Sequence, residues 1–481
     1  MTRPDRDYRT LDKDLGRITV VESAQFHALR PVLQLGAGIL LVISLIFLAL
    51  GVTGHQPGLI AVGAGFIVAG WLGLSIGAND IANSLGPAVG AGAIAIGPGL
   101  VLVGLAEIAG AALAGHAVTH RLAEGIVDIA VLTGAAGQIV MLAALVAAAA
   151  WITIATGANL PVSTSHSIVG AIAGAGLAAA GSAAVSWGGI AAMALAWMLT
   201  PLLAAALAGA LLALLRLKVA EAADRGAAAR AWLPPLIGAM AGLFVAYIAT
   251  LLPALPLRLP LALLPGAAAG LAVALLMRCR VNRLLAEAGG DKPGMKRLLR
   301  QPLLFAAVMM AFAHGAGDAG NVAGPLLVIL TPGHHGPLPV PLLLLTVAGA
   351  AIALGAVLFG RRLVGMVGEG ITRLNPARAF CITLSTAMIV LVASGWGLPV
   401  SSTHVAVGGV FGVGFVRELL DRRADRQRAE LPVEERRRRQ LIRRSHVATI
   451  TTAWVVTVPV TAALGGLCCL AMLRLAGIPG G

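Results

Sequence analysis

Charge is scarce in this chain: of 481 residues, 12% are Asp, Glu, Lys or Arg, while 58% are hydrophobic and the mean hydropathy is +0.91. A water-soluble domain carries about a quarter charged residues, so a soluble fold of this length is excluded. Paired cysteine motifs are missing too. Cys279, Cys381, Cys468 and Cys469 show neither CxxC nor metal-ligand spacing and read as small apolar core residues. The first 30 residues lack an apolar stretch, which argues against a cleaved signal peptide. No HExxH or comparable metal motif occurs.

What is present is a series of apolar runs reaching the ~20 residues that cross a bilayer. They fall at Leu33 to Val52, Leu59 to Val89, Gly99 to Val118, Val131 to Thr156, a shorter Ser163 to Ala180, and Trp187 to Leu215. A central pair follows, Leu233 to Leu252 and Leu261 to Met277, set between basic linkers. The remainder runs from Leu303 to Leu330, Pro341 to Gly360, Arg378 to Trp396, Ser401 to Val416 and His446 to Leu473. The expected fold is an all-α polytopic membrane protein of about 10–12 membrane segments, some of them helices broken by Gly and Pro or re-entrant hairpins.

The net charge of +14 does not point to nucleic acid, because the basic residues sit between the spans. With the N-terminus inside, 32 of the 35 Lys and Arg fall on the cytoplasmic side, leaving Arg121, Arg258 and Arg474. The arginine run Arg436 to Arg439 is suited to anionic headgroups.

Polar groups inside the apolar runs are the next signal. GANDIANSLGP, starting at Gly77, places Asn79, Asp80 and Asn83 between helix breakers. A charge at that depth costs about 2.5–3.5 kcal/mol and marks a pathway by default. The cluster returns 238 residues later as GAGDAGNVAGP, with Asp318 and Asn321. A second pair keeps the same spacing: LPVSTSH at Leu160 and LPVSSTH at Leu398. The chain therefore reads as two related halves: repeat 1 over 58–216 and repeat 2 over 302–481, the latter with a basic cytosolic loop at 417–444. A cytosolic tail (1–32), an extra transmembrane helix (33–57) and a linker region with the central pair (217–301) complete it. On the basic-residue count the first half begins outside and its copy inside, so the halves are expected to be inverted about a pseudo-two-fold axis.

Each motif suggests a chemistry. Gly77, Gly86 and Pro87 are expected to release backbone carbonyls beside Asp80 that would suit a hard cation, and Asp80 and Asp318 could hold Na⁺ or a proton. Ser163 and Ser401 read as N-caps, with Thr164, Ser165, Ser402 and Thr403 in the first turn, where free N–H groups favour an anion. His166 and His404 fall on the same turns, where they would bond nearby backbone or shape pH dependence. Glu107 is the sole acid of its span, a proton carrier or half of a helix-pair hydrogen bond, with Leu345 at the repeat position. Ser, His and Asp together also fit an intramembrane hydrolase, but a single-site enzyme has no reason to duplicate them.

These motifs resemble the inorganic phosphate transporter (PiT) family, known by a duplicated GANDxAN signature and a P-[IV]-S-[ST]-[ST]-H motif. The resemblance spans roughly Leu59 to Leu473. It implies a secondary active transporter importing inorganic phosphate with Na⁺ or H⁺ by alternating access, and no enzyme or further cofactor. It points to Asn79, Asn83, Asn321, Ser163, Thr164, Ser165, Ser401, Ser402 and Thr403 at the phosphate, with Asp80 and Asp318 at the cation site. Membrane lipids are the expected surroundings, and a homodimer is compatible with the sequence. The second signature departs from the pattern: Gly317 stands where Asn is usual and Gly320 where Ala is usual. That departure keeps open a carrier of sulfate or another tetrahedral oxyanion on the same scaffold.

Overall fold

The computed structural model describes residues 57–158, 162–251, 259–287, 294–333, 339–366, 375–425 and 444–478. The expected span at Leu33 to Val52 and the Arg436 to Arg439 run lie outside them. Fourteen helices make up almost all of the described chain, and the sole β-type pairing among the described residues is a bridge between Val127 and Val185. In lipid every backbone group must be satisfied within the protein, which helices do segment by segment. Eleven of the helices are long and apolar enough to cross a membrane, and the chain is a multi-pass membrane protein.

In chain order the helices are α1 (Pro57–Gly90), α2 (Ile96–Ala114), α3 (His116–Glu124), α4 (Gly134–Gly157), α5 (Thr164–Ala180) and α6 (Trp187–Leu215). The central pair is α7 (Arg225–Leu251) and α8 (Leu259–Glu287). Then come α9 (Met295–Leu330), α10 (Leu342–Phe359), α11 (Arg361–Met366), α12 (Pro376–Gly395), α13 (Ser402–Asp425) and α14 (Arg444–Leu475). Most boundaries lie within a few residues of the hydrophobic runs. The basic linkers differ: α7 begins at Arg225 and α8 continues to Glu287, so much of both linkers is helical. Long basic side chains let a helix run past the apolar zone, their stems covering apolar surface while the charge stays in water.

A larger correction concerns the signatures. Both α1 and α9 pass through them as unbroken helices, with Pro87 and Pro325 inside. Gly77 and Gly315 do not open the backbone. They let a second helix lie directly on it: a Cβ at Gly77 would strike the Ile352 carbonyl of α10, and one at Gly315 the Glu107 carbonyl of α2. Lipid offers little hydrophobic drive for helix association, so close approach at small residues does the holding.

The same close contacts recur with the halves exchanged. Gly110 of α2 lies on the Phe312 carbonyl of α9, and Gly355 of α10 lies on the Leu74 carbonyl of α1. Gly174 of α5 abuts the Ala462 carbonyl of α14, while Gly412 of α13 abuts that of Ala205 in α6. The signature helices α1 and α9 run antiparallel. Arg300, near the start of α9, donates from Nε to the Ala93 carbonyl just past the end of α1 (3.2 Å). At the other end, Gly65 of α1 faces Ile329 of α9. The pair α7–α8 packs backbone to backbone at Gly238 on Gly270 and Gly242 on Gly266. Beside it, Leu264, Leu271 and Leu276 of α8 are exposed, as a lipid-facing surface requires.

Candidate functional site

Two helical hairpins, α4–α5 and α12–α13, aim their tips at the middle of the antiparallel α1–α9 pair. Each second helix starts at a serine whose side chain caps it. Ser163 Oγ accepts from the His166 N–H (3.1 Å) and Ser401 Oγ from the His404 N–H (3.3 Å). The first turns of α5 and α13 therefore lie against the signatures. The tips also touch each other, Ser165 Oγ donating to the Val400 carbonyl at 3.1 Å.

Asp80 and Asp318 meet at this point, each 2% exposed. Thr164 bridges them, its Oγ1 standing 3.3 Å from Asp80 Oδ2 and 3.2 Å from Asp318 Oδ1. Thr403 donates to Asp80 Oδ1 at 3.2 Å and accepts from Asn83 Nδ2 at 2.8 Å. Asn79 donates to Asp80 Oδ1 (3.2 Å), and Asn321 to Asp318 Oδ1 (2.7 Å). Ser402, the repeat mate of Thr164, is buried with no hydrogen-bond partner for its hydroxyl among the described residues. Of the fourteen residues singled out in the sequence, eleven meet here: Asp80 and Asp318, the six just named around them, and Ser163, Ser165 and Ser401 of the hairpin tips.

Glu107 and the two histidines are placed differently. Glu107 is fully buried and pairs from Oε1 with Nδ1 of His314 at 2.8 Å, joining α2 to α9. His166 and His404 pack edge to face with centroids 4.6 Å apart, and His166 also lies 3.8 Å from the Trp197 ring. Neither ring nitrogen of His166 has a hydrogen-bond partner among the described residues, which corrects the expected bond to nearby backbone. Trp197 of α6 instead secures the opposite tip, donating from Nε1 to the Pro399 carbonyl at 2.7 Å.

His314 is the residue that the sequence reading missed. Fully buried, it places Nε2 2.9 Å from Asp318 Oδ2 and 3.8 Å from Asp80 Oδ2. With Asp80 and Asp318 it forms a buried group whose ligand atoms lie within 4.8 Å of one another, a spacing that can surround a cation. The signal was available: an ionisable side chain in an apolar run, one helical turn before Asp318, faces the same way. The packing also moves the repeat mate of Glu107. The exchanged contacts at Gly77 and Gly315 pair Glu107 with Ile352 rather than Leu345, and His314 stands where repeat 1 has Ile76. A charged pair in one half thus answers an apolar pair in the other.

The comparisons with known proteins bear on this arrangement as a whole. The model of the phosphate transporter family matches residues 76–465. A Helicobacter pylori protein bearing a phosphate-permease name is 33% identical, with 95% of this chain and 98% of that protein covered. The chloroplastic inorganic phosphate transporter 2-1 of Arabidopsis thaliana is 32% identical over 82% of this chain and 69% of its own. Among solved structures, a sodium-dependent phosphate transporter superposes with a TM-score of 0.77 at 29% identity, covering 86% of this chain and 99% of the other. Membership of a family of transporters removes the hydrolase reading. On sequence, fold and the placement of both signatures, this chain belongs to the phosphate transporter family.

Proposed function

We propose that this protein imports inorganic phosphate in symport with a cation, by alternating access around the paired signatures. The observation that carries this reading is the meeting of Asp80 and Asp318 beneath two helix N-termini, bridged by Thr164. Two buried carboxylates cannot receive an anion unless cations offset them, so the cargo is a cation–anion pair. The carboxylate oxygens with Thr164 Oγ1 and Thr403 Oγ1 form an oxygen-rich set of the kind Na⁺ prefers, and His314 adds a donor on the opposite edge. The first turns of α5 and α13 supply N–H groups and hydroxyls suited to a tetrahedral oxyanion.

Sodium coupling is favoured by the solved relative, a sodium-dependent phosphate transporter. The antiparallel α1 and α9 and the exchanged helix contacts support insertion of the halves in opposite senses. In such a frame, rocking one half against the other opens the site to each side in turn.

Uptake of labelled phosphate into proteoliposomes tests the proposal. An imposed Na⁺ gradient should drive accumulation, and unlabelled phosphate should compete while sulfate does not. Asp80→Asn and Asp318→Asn should each abolish gradient-driven uptake in a protein that still inserts and purifies. Full activity in either variant, or preferential competition by sulfate, would overturn the reading.

A further inference from the structure

Asn79 of the first signature is answered by Gly317 in the second, and the hydrogen bonds around this pair differ in a connected way. In repeat 1 Asn79 occupies Asp80 Oδ1 with its amide (3.2 Å), and the Thr156 hydroxyl approaches the Asn79 carbonyl oxygen at 3.5 Å. Asn83 is then left to reach across and hold Thr403 on the tip of α13 at 2.8 Å. Repeat 2 has Gly317 in place of Asn79 and Ser394 in place of Thr156. A Cβ added at Gly317 would stand 3.1 Å from Ser394 Oγ, a fully buried hydroxyl with no hydrogen-bond partner among the described residues. Asp318 lacks the neighbouring amide, and Asn321 turns onto it at 2.7 Å. Ser165, the repeat mate of Thr403, is consequently not held by Asn321 and donates to Val400 instead.

We propose that Gly317 is a positioning residue that draws Asn321 onto Asp318, so that only the α13 tip is latched to a signature helix by an asparagine amide, Asn83 of α1 on Thr403. A buried carboxylate needs donors, and the nearest available amide supplies them. Where Asn79 supplies the amide donor in repeat 1, Asn321 supplies it in repeat 2, beside Thr164 and His314, and the α5 tip has no amide latch of its own. The unpaired Ser394 hydroxyl marks the place of the missing amide. The asymmetry biases the two tip arrangements between which an alternating-access carrier moves, with the α13 tip held by an amide and the α5 tip held only through its own hydroxyls, Thr164 on the carboxylates and Ser165 on Val400. This inference rests on the proposed transport site, although the latch itself is a property of the protein without ligand.

A double-mutant cycle between residues 317 and 165 reads the latch directly. In purified full-length protein without phosphate, Ser165→Ala alone should lower Tm only by the loss of its bond to the Val400 carbonyl. With Gly317→Asn, whose amide can bond Ser394 and Asp318, Asn321 is released to Ser165. Ser165→Ala should then lower Tm clearly further than it does with glycine at 317, within the range of ordinary side-chain coupling. Gly317→Ala supplies bulk without an amide and should create no coupling. The mirror variant Asn79→Gly should pull Asn83 onto Asp80, so that Thr403→Ala costs less in that background than in the natural one. It keeps the test open should Gly317→Asn fail to fold. Equal costs of Ser165→Ala with Gly and with Asn at 317, together with an unchanged cost of Thr403→Ala after Asn79→Gly, would overturn the proposal. Failure of the natural protein to bind phosphate would count against the functional reading alone, because the Tm cycle still decides the latch.

Discussion

At the scale of single residues, the Glu107–His314 pair carries the sharpest energetic consequence. Both side chains are fully buried and joined at 2.8 Å, while the corresponding positions in the other half are Ile352 and Ile76. The same helix crossing is thus built once with an ion-pairing couple and once with two aliphatic chains. Removing one member of a buried pair leaves the other uncompensated and costs about 3–5 kcal/mol. His314→Ile should therefore lower Tm sharply, and Glu107→Ile added to it should recover the part owed to the unpaired glutamate, since the double variant copies the apolar crossing but leaves Asp318 without the His314 Nε2 that lay 2.9 Å away. Thermal unfolding in detergent checks this, and a double variant no more stable than His314→Ile would refute it. Glu107 could be singled out in the sequence as the lone acid of its span, but its partner could not. The two lie on different helices, and simple counting at the signature spacing pointed to Leu345. Only the contact of Gly315 with the Glu107 carbonyl shows that α2 and α10 align with a different offset from α1 and α9.

At the scale of helices, the hydrophobic runs fixed most of what formed. Trp187 to Leu215 is both a run and helix α6, because a stretch of that length in lipid has no other way to satisfy its backbone. The expected breaks in α1 and α9 did not appear. Gly and Pro weaken a helix locally, yet the same glycine is what a crossing helix requires, and sequence cannot say which use prevails. Substitution separates the two. Gly315→Ala would drive a methyl into the Glu107 carbonyl and Gly174→Ala one into the Ala462 carbonyl, overpacking that costs about 1–3 kcal/mol or more where backbone must move. Gly63 and Gly188 are also helical but have nothing within 4 Å of an added Cβ. Gly63→Ala and Gly188→Ala should stabilise by about 0.5–1 kcal/mol through helix propensity alone. Unfolding midpoints for the four variants should split into these two groups; similar losses at all four positions would mean that helix breaking, rather than close packing, governs the glycines.

At the scale of the whole molecule, the unevenly placed basic residues and the antiparallel signature helices make one joint demand on topology. If Arg225 and Arg297 face the cytoplasm, as expected from the distribution of Lys and Arg, then α9 starts inside and ends outside near Gly333. Gly134 at the start of α4 packs on Gly333, and the Val127–Val185 bridge ties the connections flanking the α4–α5 hairpin to each other. Both open ends of that hairpin thus lie at the outer end of α9, while its tip reaches Asp80 and Asp318. The hairpin enters and leaves on one side, which explains how α5 can be a 17-residue helix without being a defective span. Sided labelling with a membrane-impermeant maleimide tests the arrangement in a variant whose four native cysteines are replaced. Cysteines introduced at the exposed positions Arg225 and Arg297 should react only from the cytoplasmic face, and one at exposed Ser182, beyond α5, only from the outside. A cysteine at Gly333 should share the sidedness of the one at Ser182. Labelling of Ser182→Cys from the same face as Arg297→Cys would require α5 to cross fully, separating the two hairpin tips and with them the paired carboxylates on which coupled transport depends.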